Sequence, residues 1–122
     1  MKRQYIEQLK KGITEIVLLY LINEVQTYGY NLIKELEKRT IGYFKPKGGT
    51  IYPALQRLET KGLIKRIRQR TTKRQARKYY QITEKGKQFL ADRLAEWENF
   101  STVVSVLMGV SNRREVMPPN VA

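Results

Sequence analysis

The sequence predicts a mainly α-helical fold with one small β-hairpin, and three observations carry this prediction. Apolar residues recur at helical spacing in the segments 13–25, 30–39 and 50–61. Two arms rich in Ile, Tyr and Thr, 63–70 and 77–83, flank a polar and basic stretch, as in a hairpin. The chain then returns to apolar positions spaced by three and four, which predicts a long last helix.

Composition limits what the chain can do. Its 122 residues suffice for one domain with a tail, and 41% hydrophobic content suffices for a modest core. The sequence contains neither cysteine nor histidine, so it lacks disulfides, the commonest metal ligands and the commonest general base. We therefore expect no enzyme, no metal and no cofactor. No apolar run of membrane-spanning length and no signal-peptide core occur, so we expect a cytoplasmic protein.

The strongest global feature is positive charge. The chain has 24 Lys and Arg against 11 Asp and Glu, a formal net charge of +13. Residues 61–78 hold nine of these cations and no acid. A block of one sign predicts binding to a polyanion, either nucleic acid or an anionic membrane surface. Membrane binding would need a large apolar face opposite the charges, and this block offers only Ile67 and Ala76 in its middle, so nucleic acid is favoured.

The first two helices form the buried part of the predicted fold. Segment 13–25 is apolar nearly all round, which is typical of a central helix. A polar, basic lead, residues 2–11, precedes it as either a helix or a loose arm. The second helix runs over about 30–39, with Thr27 as its predicted N-cap. Segment 40–49 contains glycine and proline without a clear period and is expected to be a loop.

The bounds of the third helix are predicted from the glycines and the proline near its ends. If Thr50 is the N-cap, Pro53 falls in the first turn, where a missing N–H costs nothing, and the two glycines at 48–49 precede the cap. Gly62 is then the C′ residue that ends the helix. The helical period puts four aliphatic residues on one face: Ile51, Ala54, Leu55 and Leu58.

The opposite face of this helix is unusual for a surface. It displays Tyr52, Pro53, Gln56 and Thr60, with Arg57 on the flank, where an ordinary solvent face would carry Lys and Glu. Gln can pair with adenine, and a threonine methyl or a proline ring can contact a thymine methyl. The pattern therefore favours a recognition helix over a plain solvent-exposed surface.

Three helices followed by a two-stranded hairpin with a basic tip, the wing, predict a winged helix-turn-helix. In the second arm, Tyr80 and Ile82 share a face and are expected to close the core. In such a fold the third helix enters the major groove, and the basic wing lies along the backbone or the minor groove. The predicted DNA contacts are Thr50, Tyr52, Pro53, Gln56, Arg57, Lys61, Arg70, Lys73, Arg74, Arg77 and Lys78.

The last helix is expected to start after a Thr83 cap and to stop at Gly109. Its apolar stripes exceed what a small winged domain can cover, which favours a partner helix from a second copy. Packing within the chain, against Tyr5, Ile6 and Leu9, is the alternative. The residues expected to dimerise are Leu90, Leu94, Trp97, Val104, Leu107 and Met108. The predicted divisions are a DNA-binding domain at 1–83, a dimerisation helix at 84–109 and a disordered tail at 110–122.

Four stretches resemble the PadR family of winged-helix transcriptional regulators. They are QLKKGITEIVLLYLI (8–22), YGYNLIKELE (28–37), GGTIYPALQRLETKGLIK (48–65) and RKYYQITEKGKQFL (77–90). The resemblance implies a dimeric regulator, usually a repressor, that binds an inverted repeat. The short subfamily, with a single C-terminal helix, is the better match. Some members bind flat aromatic ligands between subunits through a tryptophan, which would give Trp97 and Phe100 a ligand role; dimer core is the alternative for both.

Two other functions stay open on the sequence. A nonspecific RNA- or nucleoid-binding protein would share the positive charge without needing a recognition helix. An adaptor that docks an acidic protein partner could use the same fold.

Overall fold

The computed structural model describes residues 2–70 and 76–110, which form four helices and three strands. The mainly helical prediction with a small hairpin is confirmed. The elements in chain order are α1 (Lys2–Glu24), β1 (Thr27–Tyr28), α2 (Gly29–Arg39), α3 (Gly48–Thr60), β2 (Ile64–Arg70), β3 (Ala76–Ile82) and α4 (Glu84–Leu107).

The chain divides into two compact units, Met1–Leu90 and Ala91–Ala122. The first turns of α4 therefore pack with the first unit, although the sequence suggested a division at Thr83. The assignment of DNA binding and dimerisation to separate parts of the chain stays a prediction. The predicted tail lies outside the described residues, apart from Val110.

The core of the first unit is built from apolar residues of the four helices and of strands β2 and β3. Burial of a large aliphatic side chain contributes roughly 1.5–3 kcal/mol, so this cluster is the main source of stability. Tyr80 and Ile82 close it from β3, as predicted. The most deeply buried side chains are Leu18, Leu19, Leu32, Ile51, Leu55, Leu58, Leu63 and Ile64.

The first helix is continuous through the basic lead. α1 runs from Lys2 to Glu24, so the lead is a helix rather than a loose arm. A Cβ built on Gly12 would meet nothing within 4 Å. A glycine in an open helix interior costs about 1 kcal/mol relative to alanine, which is too little to break a helix of this length.

The sheet has a third strand that the sequence did not reveal. β1 pairs antiparallel with β3, giving the order β1-β3-β2, and Thr27 lies opposite Tyr80. The N-cap prediction for Thr27 is therefore wrong: the N-cap of α2 is Tyr28. The buried Thr27 hydroxyl instead accepts a 2.7 Å hydrogen bond from the Asn31 amide.

The third helix begins three residues earlier than its predicted Thr50 cap implies. Its N-cap is Lys47, because the N–H groups of Thr50 and Ile51 both donate to the Lys47 carbonyl, at 2.9 and 3.0 Å. Thr50 is consequently inside the helix, and so is Pro53. Proline removes the bond to the carbonyl four residues back, that of Gly49, which is exposed and can be hydrated.

The end of α3 is as predicted. Gly62 has a φ of 78°, and its N–H donates to the Glu59 carbonyl at 2.9 Å. The Leu63 N–H donates to the Leu58 carbonyl at 3.0 Å, which completes a Schellman motif. This sharp turn leads the chain directly into β2.

The start of α4 depends on a close backbone approach. Thr83 is the N-cap, as predicted: its hydroxyl accepts from the Gly86 N–H at 2.9 Å. Gly86 itself is buried, and a Cβ built there would overlap the Leu63 carbonyl oxygen and the Ile82 side chain. Glycine is therefore required where the sequence indicated only a weak point in the helix.

The second unit contains the remainder of α4, which carries exposed apolar side chains. Gly109 has a φ of 70° and follows the helix, so its predicted role as a stop is confirmed. Leu90, which was predicted to dimerise, is instead buried in the core of the first unit. Within the described chain, no helix combines the length and the apolar character needed to cross a bilayer. The exposed apolar side chains of this second unit include Leu94, Trp97, Phe100, Val103, Val106, Leu107 and Met108.

Replacement of Gly86 tests the close approach. Gly86→Ala should lower the free energy of unfolding by about 1–3 kcal/mol, because the new methyl group collides with backbone that cannot rotate away. Gly12→Ala is the matched control and should raise it by up to about 1 kcal/mol. Urea unfolding of the three proteins gives the comparison. Equal effects at the two positions would contradict this account.

Candidate nucleic-acid interface

The orientation of α3 follows from its buried face. Ile51, Ala54, Leu55 and Leu58 have no measurable exposure, so the helix cannot rotate without uncovering them. The opposite side leaves Pro53, Gln56 and Thr60 exposed, and we call these three residues the recognition strip. The strip presents an amide, a hydroxyl and apolar surface, the groups that hydrogen-bond and contact base edges in a major groove.

Tyr52 borders the recognition strip and has a structural contact of its own. A Cβ built on Gly29 would overlap its ring, and one built on Gly48 would lie 3.2 Å from it. The ring therefore packs on the start of α2 and on the first residue of α3. It remains 47% exposed. Tyr52 thus braces the two helices while keeping half of its surface toward solvent.

The cations on one flank of the strip are paired with an acid of α1. Arg57 Nε lies 2.9 Å from Glu15 Oε2, and Lys61 Nζ lies 3.0 Å from Glu15 Oε1. Partial burial raises the pKa of Glu15, but the hydrogen bonds from Arg57 and Lys61 outweigh it, and the pKa lies below its ordinary value. Glu15 is therefore ionised at neutral pH and holds both cations.

The other flank of the strip has a similar arrangement. Arg66, on β2, lies with its Nε 2.9 Å from Oε2 of Glu59, on α3. The hydrogen bond to Glu59 raises the pKa of the Arg66 guanidinium further above its already high value. The neutral strip consequently lies between two ion-paired borders.

A basic cleft opens beside the start of α3. It encloses about 710 Å³ between α1 and the segment that joins α2 to α3. Lys10 Nζ donates to the Tyr43 carbonyl at 2.8 Å and lies 4.8 Å from the Tyr43 ring centroid. Thr50 is also at its edge, so this predicted contact lies at the cleft rather than in the strip. The lining includes the lysines Lys10, Lys11, Lys45 and Lys47.

The wing is the antiparallel hairpin of β2 and β3, and the structure gives the backbone pairing of its predicted DNA contacts. Arg70 pairs with Ala76, and Arg77 and Lys78 pair with Gln69 and Arg68 across the antiparallel strands. The side chains of residues 68–70 and 76–78 lie outside the described set, as do Lys73 and Arg74 altogether. Their predicted phosphate contacts remain predictions.

Sequence reasoning missed Glu15 and the contact of Tyr52 with two glycines. In the sequence, Glu15 is one polar residue within the apolar segment 13–25, and its ion-pair partner Arg57 is 42 positions away. No local period signals such a contact. Among the described residues, no cluster of three metal-ligating side chains occurs.

Comparison with known proteins identifies what this arrangement is similar to. A family model described as transcriptional regulator PadR-like matches residues 18–92. Protein X of Lysinibacillus sphaericus is 34% identical over 98 residues, which are 80% of this chain and 90% of that protein.

Two solved structures extend the comparison. A PadR-like transcriptional regulator from Bacillus cereus is 35% identical, with a TM-score of 0.72 over 83% of this chain and 96% of that one. Bacillus subtilis PadR in complex with operator DNA is 26% identical, with a TM-score of 0.62 over 67% of this chain and 47% of that one.

The Glu15 ion pairs predict a specific pH dependence of stability. A carboxylate whose folded pKa is depressed contributes stability that is complete above the unfolded pKa, near 4.5, and is lost as pH falls through the folded value. The difference in unfolding free energy between wild type and Glu15→Gln should therefore be largest at pH 6–7 and shrink below about pH 4.5. Urea unfolding across this range measures it, and a difference that stays constant with pH would exclude the assignment.

Proposed function

The chain belongs to the PadR-like family of transcriptional regulators, and we propose that it acts as a homodimeric repressor that binds an inverted-repeat operator. It is a regulator rather than an enzyme. The observation that carries the proposal is the fixed orientation of α3, which buries its aliphatic face and exposes an uncharged recognition strip.

Sequence selection is assigned to the recognition strip. With α3 in a major groove, the Gln56 amide would donate to and accept from an adenine edge. Thr60 and Pro53 would contact neighbouring thymine methyl groups or hydrogen-bond acceptors. Tyr52 supports this geometry by holding α3 against the start of α2.

Affinity is assigned mainly to cations outside the strip. The lysines of the basic cleft adjoin the start of α3, and the wing carries the predicted contacts Arg70, Lys73, Arg74, Arg77 and Lys78. These residues would bind phosphates and release counterions, which holds the protein on the duplex without choosing a sequence. Bacillus subtilis PadR, whose structure includes operator DNA, supports duplex DNA as the partner. With such a partner, we expect the protein to act in the cytoplasm.

Dimerisation is assigned to α4. Trp97 is 47% exposed, Leu107 80% and Met108, just after the helix, 64%, and apolar surface of this extent favours burial by a second copy. Leu94 and Val104 lie on the same helix and would contribute. Two recognition helices would then meet half-sites about 34 Å apart.

An aromatic effector is the finer part of the proposal. Trp97 and Phe100 both expose aromatic surface, at 47% and 63%. A flat apolar ligand stacked on them between subunits would relieve repression only if it favours a different spacing of the two DNA-binding units. The alternative is that both aromatic side chains pack in the dimer core and bind no ligand.

Selection from a random duplex library is the experiment that tests the proposal. The recovered sites should share a motif with two-fold symmetry, and a random duplex should compete weakly. Recovery of no motif would favour a nonspecific RNA- or nucleoid-binding protein. Loss of all nucleic-acid binding, with capture of an acidic protein instead, would favour an adaptor.

Two sets of substitutions separate selection from attraction. Gln56→Ala should relax preference at one position of the site by about 1–3 kcal/mol and leave the salt dependence nearly unchanged. Lys73→Ala with Arg74→Ala should weaken binding to every duplex and reduce the salt slope by about 0.9 for each phosphate that is no longer neutralised. Fluorescence anisotropy between 50 and 200 mM salt measures both. A wild-type affinity that does not change between 50 and 200 mM salt would contradict the assignment of phosphate contacts to these cations.

The dimer is tested on α4 itself. Trp97→Ala should shift the monomer–dimer equilibrium toward monomer by about tenfold or more, since truncation of a buried tryptophan at an interface commonly costs over 1 kcal/mol. Sedimentation equilibrium over a range of protein concentrations gives the constant. Tyr30→Ala, at an exposed aromatic residue of α2, is the control and should leave it unchanged. A monomeric wild type would refute the dimer.

A further inference from the structure

We infer that Glu15 sets DNA specificity by holding Arg57 and Lys61 away from the phosphates of non-cognate duplexes. This inference rests on the proposed function, because it assigns a role at the same interface to a residue that does not contact DNA in that proposal. Glu15 is thus a positioning residue that acts through two cations.

The geometry gives Glu15 a firm hold on both cations. Its two carboxylate oxygens each accept from one of them, at 2.9 Å from Arg57 Nε and 3.0 Å from Lys61 Nζ. The Glu15 side chain is only 23% exposed, whereas Arg57 and Lys61 are 55% and 50% exposed. The acid is therefore the fixed partner on α1, and the cations are the accessible ones.

The two cations lie where they could otherwise bind any duplex. Arg57 follows Pro53 by four positions and Lys61 follows Arg57 by four, so both run along α3 beside the recognition strip. A duplex that accepts the strip in its groove brings its phosphate backbone past this flank. Unpaired cations here would attract every sequence equally, since phosphates carry no sequence information.

The ion pairs turn this general attraction into a conditional one. A phosphate can bind Arg57 or Lys61 only if it displaces the Glu15 carboxylate. In a loose, non-cognate complex the helix is not held against the bases, and a distant phosphate cannot compete with a contact of 2.9–3.0 Å. In a cognate complex the base contacts of the strip hold α3 close, and the exchange of carboxylate for phosphate becomes feasible.

A second ion pair of α1 provides a matched control. Glu24 lies 2.8 Å from Arg39, which belongs to α2, and neither residue is on α3. Glu24→Gln changes the formal charge by the same amount as Glu15→Gln and also breaks a pair between α1 and another helix. It releases no cation beside the recognition strip.

The experiment compares Glu15→Gln, Glu24→Gln and wild type on the selected operator and on a scrambled duplex of equal length. For Glu15→Gln, binding to the scrambled duplex should become stronger and steeper in salt. Two additional phosphate contacts with slopes of about 0.9 each correspond to roughly tenfold more affinity lost between 50 and 200 mM salt. Operator affinity should change less, so the ratio of operator to scrambled affinity should fall, while Glu24→Gln keeps the wild-type ratio.

Three results with Glu15→Gln alone would each overturn the inference. Glu15→Gln could behave like Glu24→Gln, it could strengthen binding to both duplexes by the same factor, or its salt slope could stay at the wild-type value. The triple variant Glu15→Gln, Arg57→Gln, Lys61→Gln should return scrambled-duplex binding to near the wild-type level, because the released cations are gone. A triple variant that keeps the increase would also overturn it. If wild type itself fails to prefer the operator, the proposed function fails instead, and the two failures are distinguishable.

Discussion

Burial of the inner face of α3 is the constraint on which the candidate interface depends. Ile51, Leu55 and Leu58 are each completely covered, and burial of three such side chains contributes roughly 5–9 kcal/mol, comparable to the whole stability of a small domain. A helix is a rigid element at this length, so fixing one face fixes the other. The exposure of Gln56 and Thr60 is thus a consequence of core packing rather than of any local preference for the surface.

Backbone contacts at the two ends of α3 hold this packing in register. Tyr52 lies against Gly29, which is possible only because position 29 has no side chain. At the other end, Gly62 turns the chain into β2, and Gly86 lets α4 approach the Leu63 carbonyl. Gly29 and Gly86 therefore allow close contacts between elements, and Gly62 allows the turn between α3 and β2. Together these glycines explain how α3 packs tightly although glycines lie at both of its ends.

The features set by local periodicity could be predicted from the sequence, and those set by distant partners could not. The two faces of α3, the Gly62 turn and the Thr83 cap all follow from residues within a few positions of one another. Thr27 was misassigned because its partner strand is far along the chain, and a cap preference of about 1 kcal/mol yields to tertiary pairing. The start of α3 was also misplaced, because Gly48 and Gly49 are helical and the cap is Lys47 rather than the predicted Thr50. The ion pairs of Glu15 form only in the folded chain, where α1 lies against α3.

The distribution of charge separates attraction from selection. The chain carries a formal charge of +13, yet the recognition strip is neutral, and the cations that border it, Arg57, Lys61 and Arg66, are all engaged with acids. A Coulomb attraction acts over about 10 Å at moderate salt and is the same for every sequence, so it is best generated away from the surface that must discriminate. Hydrogen bonds and methyl contacts act only at contact distance and differ by about 1–3 kcal/mol between right and wrong bases. Under the proposed function, pairing the bordering cations would keep the first effect from overwhelming the second, so that a strongly basic protein could still select its site.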